Sequence, residues 1–230
     1  MAPRICVSIA PEDTQSIEKQ AAHAFGLGAD FVEIRFDFLK PDLLPTALPV
    51  AKGIKDRSVF TLRSNTEGGR FASSEEKRLE WLLRLAEEKP MLLDVELDTL
   101  RKNDELADSL ENQKTPVLVS WHDFEKTPPN DTIADMVSEM RTYSNYVKVV
   151  TTAKSVEDAL RLLEMYDVTT IGLRPIFFAM GEAGVISRLL CTLIGNAPFT
   201  YASLEKVIAP GQLTLWQMKN LYDKMKDRKV

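Results

Sequence analysis

The chain has 230 residues, 44% of them hydrophobic and 27% charged, with a formal net charge of −5 that argues against a general binder of nucleic-acid phosphates. That length fits one domain burying roughly 70 to 75% of its unfolded surface better than it fits two. Two distant cysteines, Cys6 and Cys191, form neither a metal knuckle nor a disulfide framework, and the first apolar run stops at Pro11, too short for a signal peptide or a membrane span, so a cytoplasmic protein is expected.

Read for period, the chain repeats one unit: a short β-branched run, a polar turn, then an amphipathic stretch with apolar residues three and four apart. Strands are expected at 4–9, 31–35, 58–63, 91–96, 116–121, 146–150, 169–173 and 199–202. Helices are expected to start near Thr14, Asp42, Ser74, Leu100, Thr132, Ser155 and Gly184, with a last one over 214–226. Ser73-Ser74-Glu75-Glu76 and Ser155-Val156-Glu157-Asp158 carry the Ser-plus-acid signature of a helix start. Eight alternating units predict a single (β/α)8 barrel over 1–230. An open doubly wound sheet is the alternative, but Ile9-Ala10-Pro11-Glu12 stands where its Gly-x-Gly-x-x-Gly turn belongs.

Barrel chemistry gathers at the C-terminal strand ends, so polar residues there carry the argument. Strand two ends in Glu33-Ile34-Arg35, whose spacing puts both charges on one face, as an ion pair or as ligand contacts. Strand three ends at Arg63 and runs into Asn65-Thr66-Glu67-Gly68-Gly69-Arg70, where the glycines allow close approach of a ligand or simply a flexible loop. Asp94 and Glu96 share a face of strand four and are expected to bond neighbouring Arg or Lys rather than a metal. Strand five ends in Ser120-Trp121-His122-Asp123-Phe124, bringing one of only two histidines to the mouth; the other, His23, reads as a surface or packing residue of the first helix.

Lys148, in Tyr146-Val147-Lys148-Val149-Val150, is the strongest functional signal, an ammonium set in a run that reads as a buried strand. A solvated lysine has a pKa near ~10.4, so only about one in a few thousand is a free amine at neutral pH. Burial, and cations such as Arg63, are expected to raise that fraction and make a nucleophile for ketones. On an edge strand the same lysine would merely reach for water. Further on, Met180-Gly181-Glu182-Ala183-Gly184-Val185-Ile186-Ser187-Arg188 offers an arginine to grip a carboxylate, and Ala209-Pro210-Gly211-Gln212 forms a turn that reads either as a lid over the mouth or as a generic turn.

In this order the pieces resemble type I 3-dehydroquinate dehydratase, the Schiff-base enzyme of the shikimate pathway. The resemblance covers Val7-Ser8-Ile9, Glu33-Ile34-Arg35, Arg63 with Glu67-Gly68-Gly69, Asp94-Val95-Glu96-Leu97, Ser120 to Phe124, Lys148, Met180-Gly181 with Gly184 to Arg188, and Ala209 to Gln212. It implies a (β/α)8 barrel in which Lys148 forms the imine, His122 is the general acid and base, and Glu67 orients the histidine. Ser8, Glu33, Arg35, Arg63, Met180, Arg188 and Gln212 match substrate-binding positions. It implies a small-molecule substrate, 3-dehydroquinate, with no cofactor or metal, no nucleic-acid or membrane partner, and a homodimer. One departure stands out: Ile208 replaces a serine of the family four residues before the glutamine.

The implied chemistry explains the combination. An iminium at Lys148 accepts the electrons left when a proton departs beside the ketone, and His122 protonates the leaving hydroxyl. A lysine aldolase shares the imine but handles phosphorylated sugars, and Gly172-Leu173-Arg174-Pro175 does not read as its phosphate site. A non-catalytic sensor of a carboxylated metabolite would not need both Lys148 and His122.

Overall fold

A computed structural model, which describes residues 3–167, 172–205 and 209–226, contains eight parallel strands alternating with helices. β1 (Ile5–Ile9) leads into α1 (Thr14–Gly26), β2 (Phe31–Arg35) into α2 (Leu44–Lys52), and β3 (Ser58–Thr61) into α3 (Glu75–Glu87). β4 (Leu92–Glu96) is followed by α4 (Leu97–Lys102) and α5 (Asp104–Gln113), then β5 (Val117–His122), α6 (Asn130–Tyr143), β6 (Tyr146–Thr152) and α7 (Val156–Glu164). β7 (Arg174–Met180), α8 (Val185–Leu190), β8 (Thr200–Ser203) and α9 (Leu215–Lys226) complete the order. The expected Ser caps are made: Ser74 accepts from the Lys77 N–H at 3.3 Å and Ser155 from the Asp158 N–H at 3.4 Å. Among the described residues no helix is long and apolar enough to cross a membrane.

Hydrogen bonding runs in the order β7-β6-β5-β4-β3-β2-β1-β8, so β7 and β8 are the two ends of the ladder of a nearly closed barrel. Side chains bridge that seam, with the Phe178 and Tyr201 ring centroids 6.0 Å apart. β6 pairs with β5 on one side and β7 on the other, so Lys148 does not lie on an edge.

Period two sorts each strand into two faces. Val7, Val32, Phe60, Leu93, Val119, Val147, Phe177 and Ala202 pack outward in one buried cluster with helix residues such as Ile17, Leu82, Leu106 and Leu162. Each large side chain so buried contributes roughly 1.5–3 kcal/mol. The alternate residues form a second cluster that includes Cys6, Val59, Leu92, Leu118 and Ile176. Two residues further along β1, β3, β4 and β5 the same face turns polar and stays buried, with Ser8, Thr61, Asp94 and Ser120, while Glu33 and Lys148 continue it on β2 and β6.

The seventh strand differs from expectation. It spans Arg174–Met180 rather than 169–173, with Gly172 and Leu173 ahead of it and 168–171 outside the described residues. Pro175 is tolerated because it stands second in the strand, which lets the apolar run 176–180 pair with β6. The eighth strand is Thr200–Ser203 instead of 199–202, and the one helix expected near Leu100 is two, α4 and α5, divided at Asn103, whose φ of −141° is not helical.

Candidate active site

At the C-terminal mouth, Lys148 points inward and is only 4% exposed. Its Nζ donates to Asp94 Oδ2 at 2.6 Å, lies 3.7 Å from Glu33 Oε1, and sits 4.8 Å from the Tyr201 ring centroid. Among the described residues, the charged and aromatic groups recorded against the Lys148 ammonium are thus carboxylates and one ring face. Arg63 is close, but through Asp94: its Nη2 meets the same Oδ2 at 2.7 Å.

These contacts belong to a dense network built by strand register. Ser120 Oγ accepts from Arg63 Nη1 at 2.6 Å and donates to Asp94 Oδ1 at 2.6 Å. Arg63 Nη1 also reaches Glu96 Oε1 at 3.2 Å, and Glu33 accepts from Ser8 Oγ at 2.7 Å and Thr61 Oγ1 at 3.0 Å. Burial would raise the Asp94 pKa, but Arg63 and Lys148 outweigh it and hold Asp94 ionised well below the usual carboxylate range. Arg63 is likewise held charged, because Asp94 and Glu96 outweigh its burial. Asp94 and Glu96 thus bond Arg and Lys, as the sequence led one to expect.

His122 closes β5, and Asp123 Oδ1 accepts the Glu125 and Lys126 N–H groups at 2.8 and 2.9 Å, a turn that sets the strand end. His122 Nδ1 lies 2.8 Å from Glu67 Oε2, and Phe124 stacks on the imidazole with ring centroids 6.1 Å apart. Burial, reinforced by Arg63 and Lys148, pushes the His122 pKa well below its ordinary value. Burial also raises Glu67 to about 8, against the pull of Arg63. Both shifts disfavour charge on these two groups, and the 2.8 Å Nδ1–Oε2 contact fixes the imidazole against Glu67.

The turn that aims Glu67 needs its glycines. Gly68 has φ of +77°, and a Cβ on Gly69 would stand 2.0 Å from the Arg63 carbonyl oxygen. The close approach that Gly69 permits is to the chain's own strand end, not to a ligand.

Arg35 is clamped by Asp37, Nε and Nη2 each donating at 2.8 Å, and sits over the Phe38 ring. Arg188 is placed by α8, whose end is tied to β8 where Thr200 Oγ1 donates to the Arg188 carbonyl at 2.7 Å. Its guanidinium lies 4.4 Å from the Phe178 ring centroid and makes a long 3.4 Å contact to Pro210 O. Its Nε has no hydrogen-bond partner, no described carboxylate pairs with it, and burial lowers its pKa to about 10. Gln212 accepts the Ala209 N–H at 3.3 Å, and Gly181 N–H donates to Pro210 O at 3.3 Å, which joins the 209–212 turn to the end of β7. Ile208, with the rest of 206–208, lies outside the described residues.

All ten residues singled out from the sequence, Ser8, Glu33, Arg35, Arg63, Glu67, His122, Lys148, Met180, Arg188 and Gln212, line one cavity. Its volume of about 120 Å³ is small beside the ~300–1,000 Å³ of drug-sized sites, which suits one small ring. The sequence reading did not place Phe178 and Tyr201 here. Phe178 was hidden by the displaced seventh strand; Tyr201 shares a strand face with Phe199, a signal available from period two. The Tyr201 hydroxyl and Glu67 Oε1 are, like Arg188 Nε, buried without partners.

The type I 3-dehydroquinase family model matches residues 5–229. The chain is 35% identical over 221 residues to the 3-dehydroquinate dehydratase of Methanopyrus kandleri, covering 95% of this chain and 98% of that one. To the Thermococcus gammatolerans 3-dehydroquinate dehydratase it is 37% identical over 194 residues, 84% of this chain and 86% of that one. Among solved structures, 3-dehydroquinate dehydratase from Geobacillus kaustophilus superposes with a TM-score of 0.88 at 25% identity, covering 100% of this chain and 93% of the other. The type I enzyme from Clostridium difficile with covalently modified comenic acid gives 0.86 at 27%, covering 98% and 93%.

Proposed function

We propose, from the premise that the chain belongs to the type I 3-dehydroquinase family, that Lys148 is its imine-forming residue and His122 its general acid and base. The reaction itself is that of the family, dehydration of 3-dehydroquinate to 3-dehydroshikimate through a lysine imine in the shikimate pathway. The observation that carries the residue assignment is that Lys148 is, among the described residues, the one lysine lining the cavity and shares it with an imidazole held neutral. The covalently modified ligand of the Clostridium difficile relative supports covalent chemistry at such a site.

His122 takes the ammonium proton of Lys148, the freed amine attacks the substrate ketone, and the carbinolamine hydroxyl takes that proton back and leaves as water to give an iminium. Neutral His122 takes the proton from the carbon beside the iminium, whose nitrogen receives the electron pair. The imidazolium then gives a proton to the β-hydroxyl, which leaves as water; hydrolysis of the imine frees the product and restores the amine. Positioned proton transfer of this kind contributes roughly 10²- to 10⁴-fold. Glu67 fixes the imidazole through Nδ1, leaving Nε2 for substrate. Arg188 holds the substrate carboxylate, while Ser8, Glu33, Arg35, Arg63, Met180 and Gln212 surround the ring.

Residues 1–230 act as one catalytic domain, assembled as a homodimer in the cytoplasm; Cys6 and Cys191, both buried and unpaired, suit a reducing compartment. Borohydride reduction in the presence of substrate or product is expected to add mass to the peptide bearing Lys148. Near-normal formation of the conjugated product, followed by ultraviolet absorbance, in Lys148→Ala would exclude the assignment. Analytical ultracentrifugation tests the dimer.

A further inference from the structure

Arg78 lies outside the cavity, on α3, yet it is 1% exposed and reaches the strand ends from behind. Its Nη1 donates to the Leu62 carbonyl at the end of β3 and to Glu96 Oε2 at the end of β4, both at 3.0 Å. Nη2 donates to Thr99 Oγ1 at 2.7 Å and to Glu75 Oε1 at 2.6 Å. The other oxygen of Glu96 accepts from Arg63 Nη1 at 3.2 Å and from the Ser64 N–H at 2.9 Å. A single file of alternating charge therefore runs from helix to nucleophile: Arg78, Glu96, Arg63, Asp94, Lys148.

We infer that Arg78 is a positioning residue for the imine-forming lysine: by holding Glu96 it leaves Arg63 turned toward Asp94, and so fixes the carboxylate on which Lys148 rests. The inference rests on the assignment of Lys148 and Arg63 above. Its physical basis is competition for one guanidinium. Glu96 is 1% exposed and cannot be left with an uncompensated charge. Without Arg78, Arg63 becomes its only cation and is drawn out of the mouth, away from Asp94 and from substrate. Asp94 is then left with Lys148 alone, and the lysine is held where it should be released to attack.

Arg78→Met, Glu96→Gln, the double variant and Arg78→Lys separate positioning from mere support of the fold. Kinetics with 3-dehydroquinate, borohydride trapping at Lys148 and thermal midpoints are the measurements. In Arg78→Met, kcat/KM is expected to fall about 30-fold, mostly through KM, and trapping to slow in parallel. The double variant, which removes both charges, should recover to within about threefold of the parent although it lacks a buried ion pair, and Arg78→Lys should stay within about threefold. A folded Arg78→Met with unchanged kcat/KM, or a double variant no better than Arg78→Met, would overturn the inference. Where Arg78→Met does not fold, Arg78→Lys decides: a tenfold or larger loss, on the order of the effect expected of charge removal, in a folded protein counts against it. Failure to trap Lys148 in the unaltered protein would instead sink the assignment of the nucleophile.

Discussion

Lys148 Nζ and Arg63 Nη2 converge on the same oxygen, Oδ2 of Asp94, at 2.6 and 2.7 Å. One buried carboxylate thus compensates the Lys148 ammonium and the Arg63 guanidinium together, and the two side chains are linked through it. Asp94→Asn leaves two cations facing a neutral amide. Breaking buried pairs in this way costs about 3–5 kcal/mol, so urea unfolding should show a loss of that size, accompanied by a fall in kcat.

Glu67 carries a pH signature. Its pKa rises from 4.5 in the unfolded reference to about 8 in the fold, so between those values the native state holds a proton that the unfolded state has lost. Its stabilising contribution is fully present below 4.5 and is lost as pH rises toward 8. The stability of the parent relative to Glu67→Gln, which cannot titrate, is expected to decline across that window by at most about 1.4 kcal/mol per pH unit. Denaturant titrations at pH 5 through 8 on the order of one unit apart read the slope; a flat difference would show Glu67 ionised throughout.

Arg188 is built for a partner the protein does not provide. Arg188→Met should raise KM about 100-fold through loss of a charge-paired carboxylate, and leave the empty protein as stable or about 1 kcal/mol more stable, since an unpaired buried N–H disappears. Substrate should then protect the variant against heat much less than it protects the parent. Equal protection of both would place the carboxylate elsewhere.

Gly69→Ala tests the turn that aims Glu67. A methyl group 2.0 Å from the Arg63 carbonyl oxygen must push the 64–69 segment away from β3. The expected cost is about 1–3 kcal/mol of stability, with a larger loss of kcat than of substrate affinity because the Glu67–His122 contact is misaligned. Unaltered kinetics would mean that the imidazole does not depend on this turn.

Much of this site was legible because period two is a strict rule within a strand. Glu33 with Arg35, Asp94 with Glu96, and Lys148 among valines each announced an inward polar position, and the caps at Ser74 and Ser155 marked their helices. Partnerships were not legible. That Asp94 rather than a cation meets Lys148 depends on how β3, β4, β5 and β6 are staggered, which no local window encodes. Arg78 sits in Glu75-Glu76-Lys77-Arg78, a string that reads as a solvated helix start until α3 is seen lying against the β3 and β4 ends. The reading at 169–173 stopped short of β7 because Thr169-Thr170-Ile171 and the run after Pro175 are both rich in β-formers, and pairing with β6 is what marks the second as β7.

The Arg188 guanidinium, with no described carboxylate beside it, also bears on which anion the barrel mouth accepts. The other cations of the lining are matched: Arg35 by Asp37, and Arg63 and Lys148 by Asp94, Glu96 and Glu33. Those three cations face four carboxylates, so among the described lining residues Arg188 is the cation with no carboxylate of its own, and its unpartnered Nε–H is open to one brought by a ligand. A phosphorylated sugar, bringing close to two negative charges at neutral pH, would set both near buried carboxylates with one such arginine to meet them. On the proposed assignment, the same barrel and the same imine favour a ring bearing one carboxylate over a sugar phosphate through Arg188 rather than through the nucleophile.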